Sequence, residues 1–192
     1  PLLNNGHSAL HSYLNANKES VTTPDPVSHR AVSEADLVLL DPSTWSPETI
    51  KTNVCAISWF GLNGPYAAYQ GSDGAIQALS GLMIGIGEVD GPPIIPPGYH
   101  AQMIGGLSAF NGSLAFLLGQ LSREGASAPA FFLDANIYEA NLCLTELGPI
   151  NAYNKNPLPS RMGINTFPPT YPLGIWPCRD GWLGVTCLSP AQ

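Results

Sequence analysis

Charge is what this sequence has least of. Of its 192 residues, 11% are Asp, Glu, Lys or Arg while 44% are hydrophobic, a mixture too apolar for a disordered chain and too short of charge to clothe a free-standing monomer. Part of the surface is therefore expected to be covered by something else. Basic residues are the scarcer sign: 7 Lys+Arg against 14 Asp+Glu leave a formal net charge of -7, which removes the electrostatic basis for general binding to phosphate backbones or anionic membranes. Neither nucleic acid nor a membrane is expected as a partner. A local basic pocket for one phosphorylated ligand is compatible with that balance.

Cysteine is sparse and dispersed. Cys55, Cys143, Cys178 and Cys187 form neither a Cys-x-x-Cys pair nor a dense framework, and they read as reduced, buried thiols of a cytoplasmic protein, or of an organelle matrix in a eukaryote. No set of His, Cys, Asp and Glu has metal-ligand spacing, and no Gly-x-x-x-x-Gly-Lys loop is present, so neither a metal site nor nucleotide hydrolysis is expected. The chain opens Pro1-Leu2-Leu3 with no basic-then-apolar leader, as a piece of something longer would. The one long uncharged run, Ala101 to Ser122, approaches the ~20 residues of a membrane helix. Its Gln102, Asn111, Ser113 and Gln120 would each be costly in lipid, so it reads as a buried helix of a soluble domain.

Length favours one domain with a real core. Residues 1–34 read as a connector broken by Thr23-Pro24-Asp25-Pro26, residues 35–150 as the α/β core, and residues 151–192 as a linker leading into a further region. Ala35–Asp41 and Val54–Phe60 are apolar runs ended by Asp41-Pro42 and Gly61, the pattern of strands in a parallel sheet covered on both faces. The loop Phe60-Gly61-Leu62-Asn63-Gly64-Pro65-Tyr66 follows the second of them, at the strand end where open α/β sheets hold ligands. A helix is predicted over 72–83, with Ser72 as cap and Ile76, Leu79 and Met83 on its core face. The prolines of Gly91–Gly98 impose an extended lead into a long central core helix, whose Ile104, Leu107, Phe110, Leu114, Leu117 and Leu121 keep the helical period while Gly105, Gly106 and Gly112 admit close neighbours. Ala130–Leu133 reads as another strand, delivering through Asp134 as cap into a helix over 135–147. Near the end, Arg179-Asp180-Gly181 between apolar runs signals a hairpin. Trp59, Trp176 and Trp182 are expected to pack at strand ends.

The ordered succession Ser58–Tyr66, Gly71-Ser72-Asp73, Gln77–Met83, Gly87-Glu88, Gly91-Pro92-Pro93 and Gly105-Gly106 resembles the family III CoA-transferases, the CaiB/BaiF family. The likeness extends backward through Leu14–Val21, which looks like the family's segment entering its second strand, and forward through Tyr171-Pro172 to Cys178–Gly181. It implies a Rossmann-like parallel sheet flanked by helices, as in the family's large domain, here with a C-terminal hairpin. It also implies a longer full-length protein whose two subunits interlock as linked rings. The class activity it implies is transfer of CoA between carboxylic acids, with acyl-CoA as substrate and no covalently bound cofactor. An aspartate attacks the thioester, giving first a mixed anhydride and then an aspartyl-CoA thioester.

The departures from the pattern decide what can be expected here. The family's nucleophilic aspartate follows an alanine ahead of the glycine pair, and that position is Gln102, whose carboxamide lacks the anionic oxygen an anhydride requires. The related acyl-CoA racemases add a histidine before the aspartate of the Gly-x-Asp motif, and here that residue is Ser72. The loop after Asp41, the early βαβ unit and a later glycine-rich loop are short or missing, as in a truncated or degenerate copy. Two readings stay open: a transferase whose nucleophile comes from another domain or subunit, and a non-catalytic acyl-CoA-binding or scaffolding subunit. A racemase or isomerase ranks below both. Lys18 matches a basic residue of the family's Asn-x-x-Lys-x-Ser segment that can meet a CoA phosphate, and otherwise is an exposed lysine. Phe60, Gly61, Gly64 and Tyr66 are candidates to border the thiol end of CoA, or they only make the turn. His100 is a candidate proton carrier beside Gln102, or a histidine at the helix start. Asp73 reads as a first-turn carboxylate favoured by the helix dipole.

Overall fold

The computed structural model describes residues 3–4, 6–22, 25, 29–122, 129–145, 147–158, 160–168 and 170–189. Strands β1 (Leu3–Asn4) and β2 (His7–Ser8) pair antiparallel and lead into α1 (Ala9–Leu14), so the expected connector carries structure of its own. Of the Thr23–Pro26 break only Asp25 lies within the described residues. Residues 15–22, part of the segment likened to the family's approach to its second strand, contain no strand themselves, and most of residues 23–28 lie outside the described residues. After α2 (Arg30–Ser33) comes the parallel sheet: β3 (Val38–Leu40), β4 (Val54–Ser58), then, past α3 (Asp73–Leu79) and α4 (His100–Leu121), β5 (Phe132–Asn136). Their order is β3-β4-β5, with Val38 opposite Val54 and Ala56 opposite Asp134. The chain continues as α5 (Ile137–Leu142) and α6 (Leu147–Tyr153) and ends in the antiparallel hairpin β6 (Leu173–Cys178) and β7 (Gly181–Thr186). The mixed α/β architecture and the terminal hairpin agree with the sequence reading.

The centre of the sheet is β4, where Val54, Cys55 and Ala56 are buried, as a strand covered on both faces requires. Val38, Leu40, Val54 and Ala56 form one apolar cluster, and Cys55, Ala109 and Ala135 another. The second cluster belongs to the contact between α4 and the sheet, and here the expectation fails in an informative way. The buried residues of α4 are Ala101, Gly105, Ala109 and Ser113, one every helical turn, while Leu107, Phe110, Leu114 and Leu121 are exposed. Periodicity located a face correctly as helical but chose the wrong one, because small side chains let the helix backbone settle close to its neighbours. A Cβ at Gly105 would stand 2.7 Å from Ile137 Cγ1, and one at Gly112 2.9 Å from Leu133 Cδ2, whereas Gly106 faces open space.

Other expectations shift for similar local reasons. Helix α3 ends at Leu79; Ile76 is buried as expected but Leu79 is exposed, and Met83 falls in a separate 3-10 turn over residues 82–85. Asp134 lies inside β5 rather than capping a helix; Asn136 is the cap, its Oδ1 accepting the Glu139 N–H at 2.9 Å. All four cysteines are free, but only Cys55 is buried; Cys143 and Cys178 are exposed. Trp182 is exposed on the hairpin rather than packed. By length and composition α4 could cross a membrane. In the fold its stripe lies on the sheet, and Gln120 pairs reciprocally with Asn53, each amide nitrogen 3.1 Å from the other's oxygen.

Two measurements test this packing. Gly105→Ala is expected to lower stability by about 1–3 kcal/mol despite its better helix propensity, because the methyl group overpacks against Ile137, while Gly106→Ala gains up to about 1 kcal/mol; urea denaturation of the pair decides. Burial pushes the Cys55 thiol pKa up, the Ser113 hydroxyl beside it works in the opposite direction, and the Asp134 carboxylate adds to the rise. A raised thiol pKa favours the folded state while the thiol is protonated, so this stabilisation is whole below about pH 8.5 and is lost as pH climbs from there through the folded value. Cys55→Ala should flatten the alkaline fall of the urea midpoint relative to the wild type.

Candidate functional site

At the carboxyl ends of β3 and β4 the chain leaves a cavity of about 680 Å³. Its wall comes from Leu39–Ser43 at and beyond the end of β3, Ile57–Leu62 at and beyond the end of β4, residues 67–70 of the following loop, and Gln102 and Ile137. Such a volume is typical of small-molecule pockets, and the position is where open α/β sheets bind ligands. Asp41 is the only charged residue in the wall among the described residues, so no lysine or arginine lines it. The cavity therefore suits an uncharged portion of a ligand better than its phosphates.

The loop that forms the floor is held from the sheet. Ser58, the last residue of β4, accepts the Gly61 N–H at 2.9 Å and donates its hydroxyl to Asp134 Oδ1 at 3.3 Å. Asp134 Oδ2 accepts the Leu62 N–H at 2.8 Å. A carboxylate in the middle of β5 thus receives a backbone donor of a turn 72 residues away in sequence. Gly61 makes that turn possible: its φ is +88°, and a Cβ would lie 3.2 Å from Asn136 Nδ2. Gly71 is required for a different reason, since any side chain there would run into the Trp59 ring. Phe60 is buried and meets Tyr138, Tyr66 and Tyr69 at centroid separations of 5.8, 6.2 and 6.4 Å, an aromatic set that closes one side of the loop.

Opposite the loop stands the first turn of α4. Its N-cap residue, Tyr99, makes no side-chain capping bond. The Gln102 N–H instead donates to Asp73 Oδ1 at 3.1 Å, and Asp73 Oδ2 accepts from Gln77 Nε2 at 2.6 Å. Behind it, the buried Asn141 donates through Nδ2 to the carbonyls of Ala101 and Ile137, at 3.0 and 2.8 Å. Ser72 caps α3 as expected, its Oγ accepting the Ala75 N–H at 3.2 Å.

The structure thus brings together Phe60, Gly61 and Gln102 at one cavity. Gly64, with φ +97°, and Tyr66, which is exposed, belong to the same loop but are not among the residues of the cavity wall. His100 is exposed at the start of α4 and is likewise absent from the wall. Lys18 follows α1, where its ammonium donates to the Leu14 carbonyl at 2.7 Å. Three residues that hold the site escaped the sequence reading: Asp134 in this role, Gln77 and Asn141. The available signal was polarity at positions where the pattern calls for an apolar side chain.

The family model described as CoA-transferase family III matches residues 49–192, which include both the loop and Gln102. The chain belongs to this family. Among curated relatives, a succinate–glutarate CoA-transferase of Agrobacterium fabrum is 30% identical over 139 residues, which are 72% of this chain and 33% of that protein. An acetyl-CoA:oxalate CoA-transferase of Acetobacter aceti is 29% identical over 131 residues, 68% of this chain and 32% of that one. The aligned part thus spans about a third of the length of these relatives. A solved CaiB/BaiF family structure from Brucella suis superposes with a TM-score of 0.70 at 23% identity, over 81% of this chain and 43% of its own. A Mycobacterium tuberculosis structure gives 0.61 at 21% identity, over 84% and 44%. At these identities the superpositions establish the family III fold.

The floor network generates a test. Asp134→Ala leaves the Leu62 N–H and the Ser58 hydroxyl without their acceptor and is expected to cost about 1–3 kcal/mol, towards the lower end because the network is only part-buried. Ser58→Ala in the same background should add less than it costs alone, as members of one network do. Urea midpoints of the two single variants and the double variant measure the coupling.

Proposed function

We propose that this family III domain receives the thioester end of an acyl-CoA in the cavity between the β4 loop and α4, as part of a longer chain or assembly that moves CoA between carboxylic acids. The observation that carries the reading is the position of Gln102: it lines the cavity beside Phe60 and Gly61, within the span matched by the family model. The pantetheine and acyl portions are uncharged up to the acyl tail and fit a wall without cations, which leaves the phosphates of CoA outside, towards solvent or a partner subunit.

Gln102 sets the limit on what this chain does alone. Its carboxamide NH₂ can donate to the thioester carbonyl and orient it, but it offers no carboxylate to add to that carbon and expel the CoA thiolate. The nucleophile then comes from another domain or subunit. The exposed apolar residues Met103, Leu107, Phe110 and Leu114 along α4 support such a partner, including the interlocked second copy, because a face of this kind is normally covered. The second reading, a non-catalytic acyl-CoA-binding or scaffolding subunit, is favoured by the same Gln102. Racemisation needs two bases, and the Ser72 hydroxyl, engaged in capping α3, supplies none.

Isothermal titration with acetyl-CoA and succinyl-CoA, followed by hydroxylamine trapping, tests the proposal. The wild-type chain is expected to bind without forming a hydroxylamine-sensitive adduct, and Gln102→Asp to form one. Absence of binding by the wild-type chain overturns the proposal. An adduct on the wild-type chain overturns the dependence on an outside nucleophile.

A further inference from the structure

The N-terminus of α4 is capped from outside its own sequence. Tyr99 contributes no capping bond, and the carboxylate that takes the Gln102 N–H belongs to Asp73, 29 residues earlier, at the start of α3. That carboxylate is itself held. Gln77, one turn further along α3 and wholly buried, donates to Asp73 Oδ2 at 2.6 Å, while Gln77 Oε1 is buried with no hydrogen-bond partner among the described residues. Burying an amide oxygen unsatisfied is costly, so the orientation of Gln77 is set by what its nitrogen does. The arrangement is directional: Gln77 fixes Asp73, and Asp73 fixes the backbone of the one residue of α4 that lines the cavity.

We infer that Asp73 is the positioning residue of this site, locking residue 102 against the acyl-CoA cavity through its carboxylate rather than serving only the helix to which it belongs. The inference rests on the proposed acyl-CoA reading for its functional consequence, though not for its structural one. It assigns different jobs to two neighbours. Ser72 caps α3 by accepting the Ala75 N–H, and Asp73 caps α4. A purely local role for Asp73 would make the two interchangeable in their effects on Gln102.

The experiment compares Asp73→Ala, Asp73→Asn and Ser72→Ala by amide hydrogen exchange at Gln102 and by the Kd for acetyl-CoA. Asp73→Ala is expected to speed Gln102 exchange about tenfold and weaken acetyl-CoA binding by a similar factor, the loss typical of a hydrogen bond to a charged group. Asp73→Asn keeps an acceptor oxygen and should stay within about threefold of the wild type, since neutral hydrogen bonds retain part of that contribution. Ser72→Ala should leave both readouts unchanged. Unchanged Gln102 exchange in Asp73→Ala, or the same loss in Ser72→Ala, overturns the inference. If Asp73→Ala does not fold, Gln77→Leu removes the donor that holds Asp73, and it must also accelerate Gln102 exchange for the inference to stand. A wild-type chain that fails to bind acetyl-CoA removes the proposed function, while the exchange data still decide the role of Asp73.

Discussion

The approach of α4 to the sheet is the constraint on which the rest depends. Ala101, Gly105, Ala109 and Ser113 place a narrow strip of backbone against β4, β5 and α5, with no room for even a methyl group at Gly105. A bulkier strip would push the helix outward, and its first turn would leave the end of β4. Close packing of this kind is stiff, because interiors at crystal-like density respond to one added carbon. The N-terminus of α4 is therefore set by contacts along its whole buried length. The Asn53–Gln120 pair pins the other end, tying the last turn of the helix to the start of β4.

On that frame the cavity has two walls of different character. The β4 loop is a turn stabilised by a carboxylate from the neighbouring strand, and the α4 turn is a helix end stabilised by a carboxylate from the preceding helix. In both cases an Asp receives backbone N–H donors that local structure leaves unpaired. The two walls are thereby coupled to different elements, β5 and α3, and can be disturbed separately.

Much of the architecture was legible in the sequence because it follows local rules. The apolar runs at 35–41 and 54–60 contain the parallel strands β3 and β4, Ser72 marked a helix start, and Asp180-Gly181 the hairpin. The failures have separate physical causes. Hydrophobic periodicity ranks faces by the size of their side chains, so it chose Leu107, Phe110 and Leu114 over Ala101, Gly105 and Ala109, although small residues are what allow close contact. Asp134 and Asn136 were misread because a strand that runs on to Asn136 hides the boundary between strand and cap. Gln102 was identifiable from family resemblance alone. Its hydrogen bond to Asp73 was not, since nothing in a linear pattern joins residues 29 positions apart.

The charge balance at the start of α4 does not require a second carboxylate at position 102. A helix N-terminus carries a partial positive charge and favours a nearby anion, and Asp73 already supplies one at 3.1 Å from the Gln102 nitrogen. The carboxamide of Gln102 adds no second negative charge beside it. A carboxylate at the same position would gain from the helix dipole but would meet the field of Asp73, only partly buried and therefore partly screened. The two effects oppose each other, so the field at this position bars neither a carboxamide nor a carboxylate. A glutamine at this position is consistent with a cavity wall that orients a carbonyl, because its carboxamide both donates and accepts.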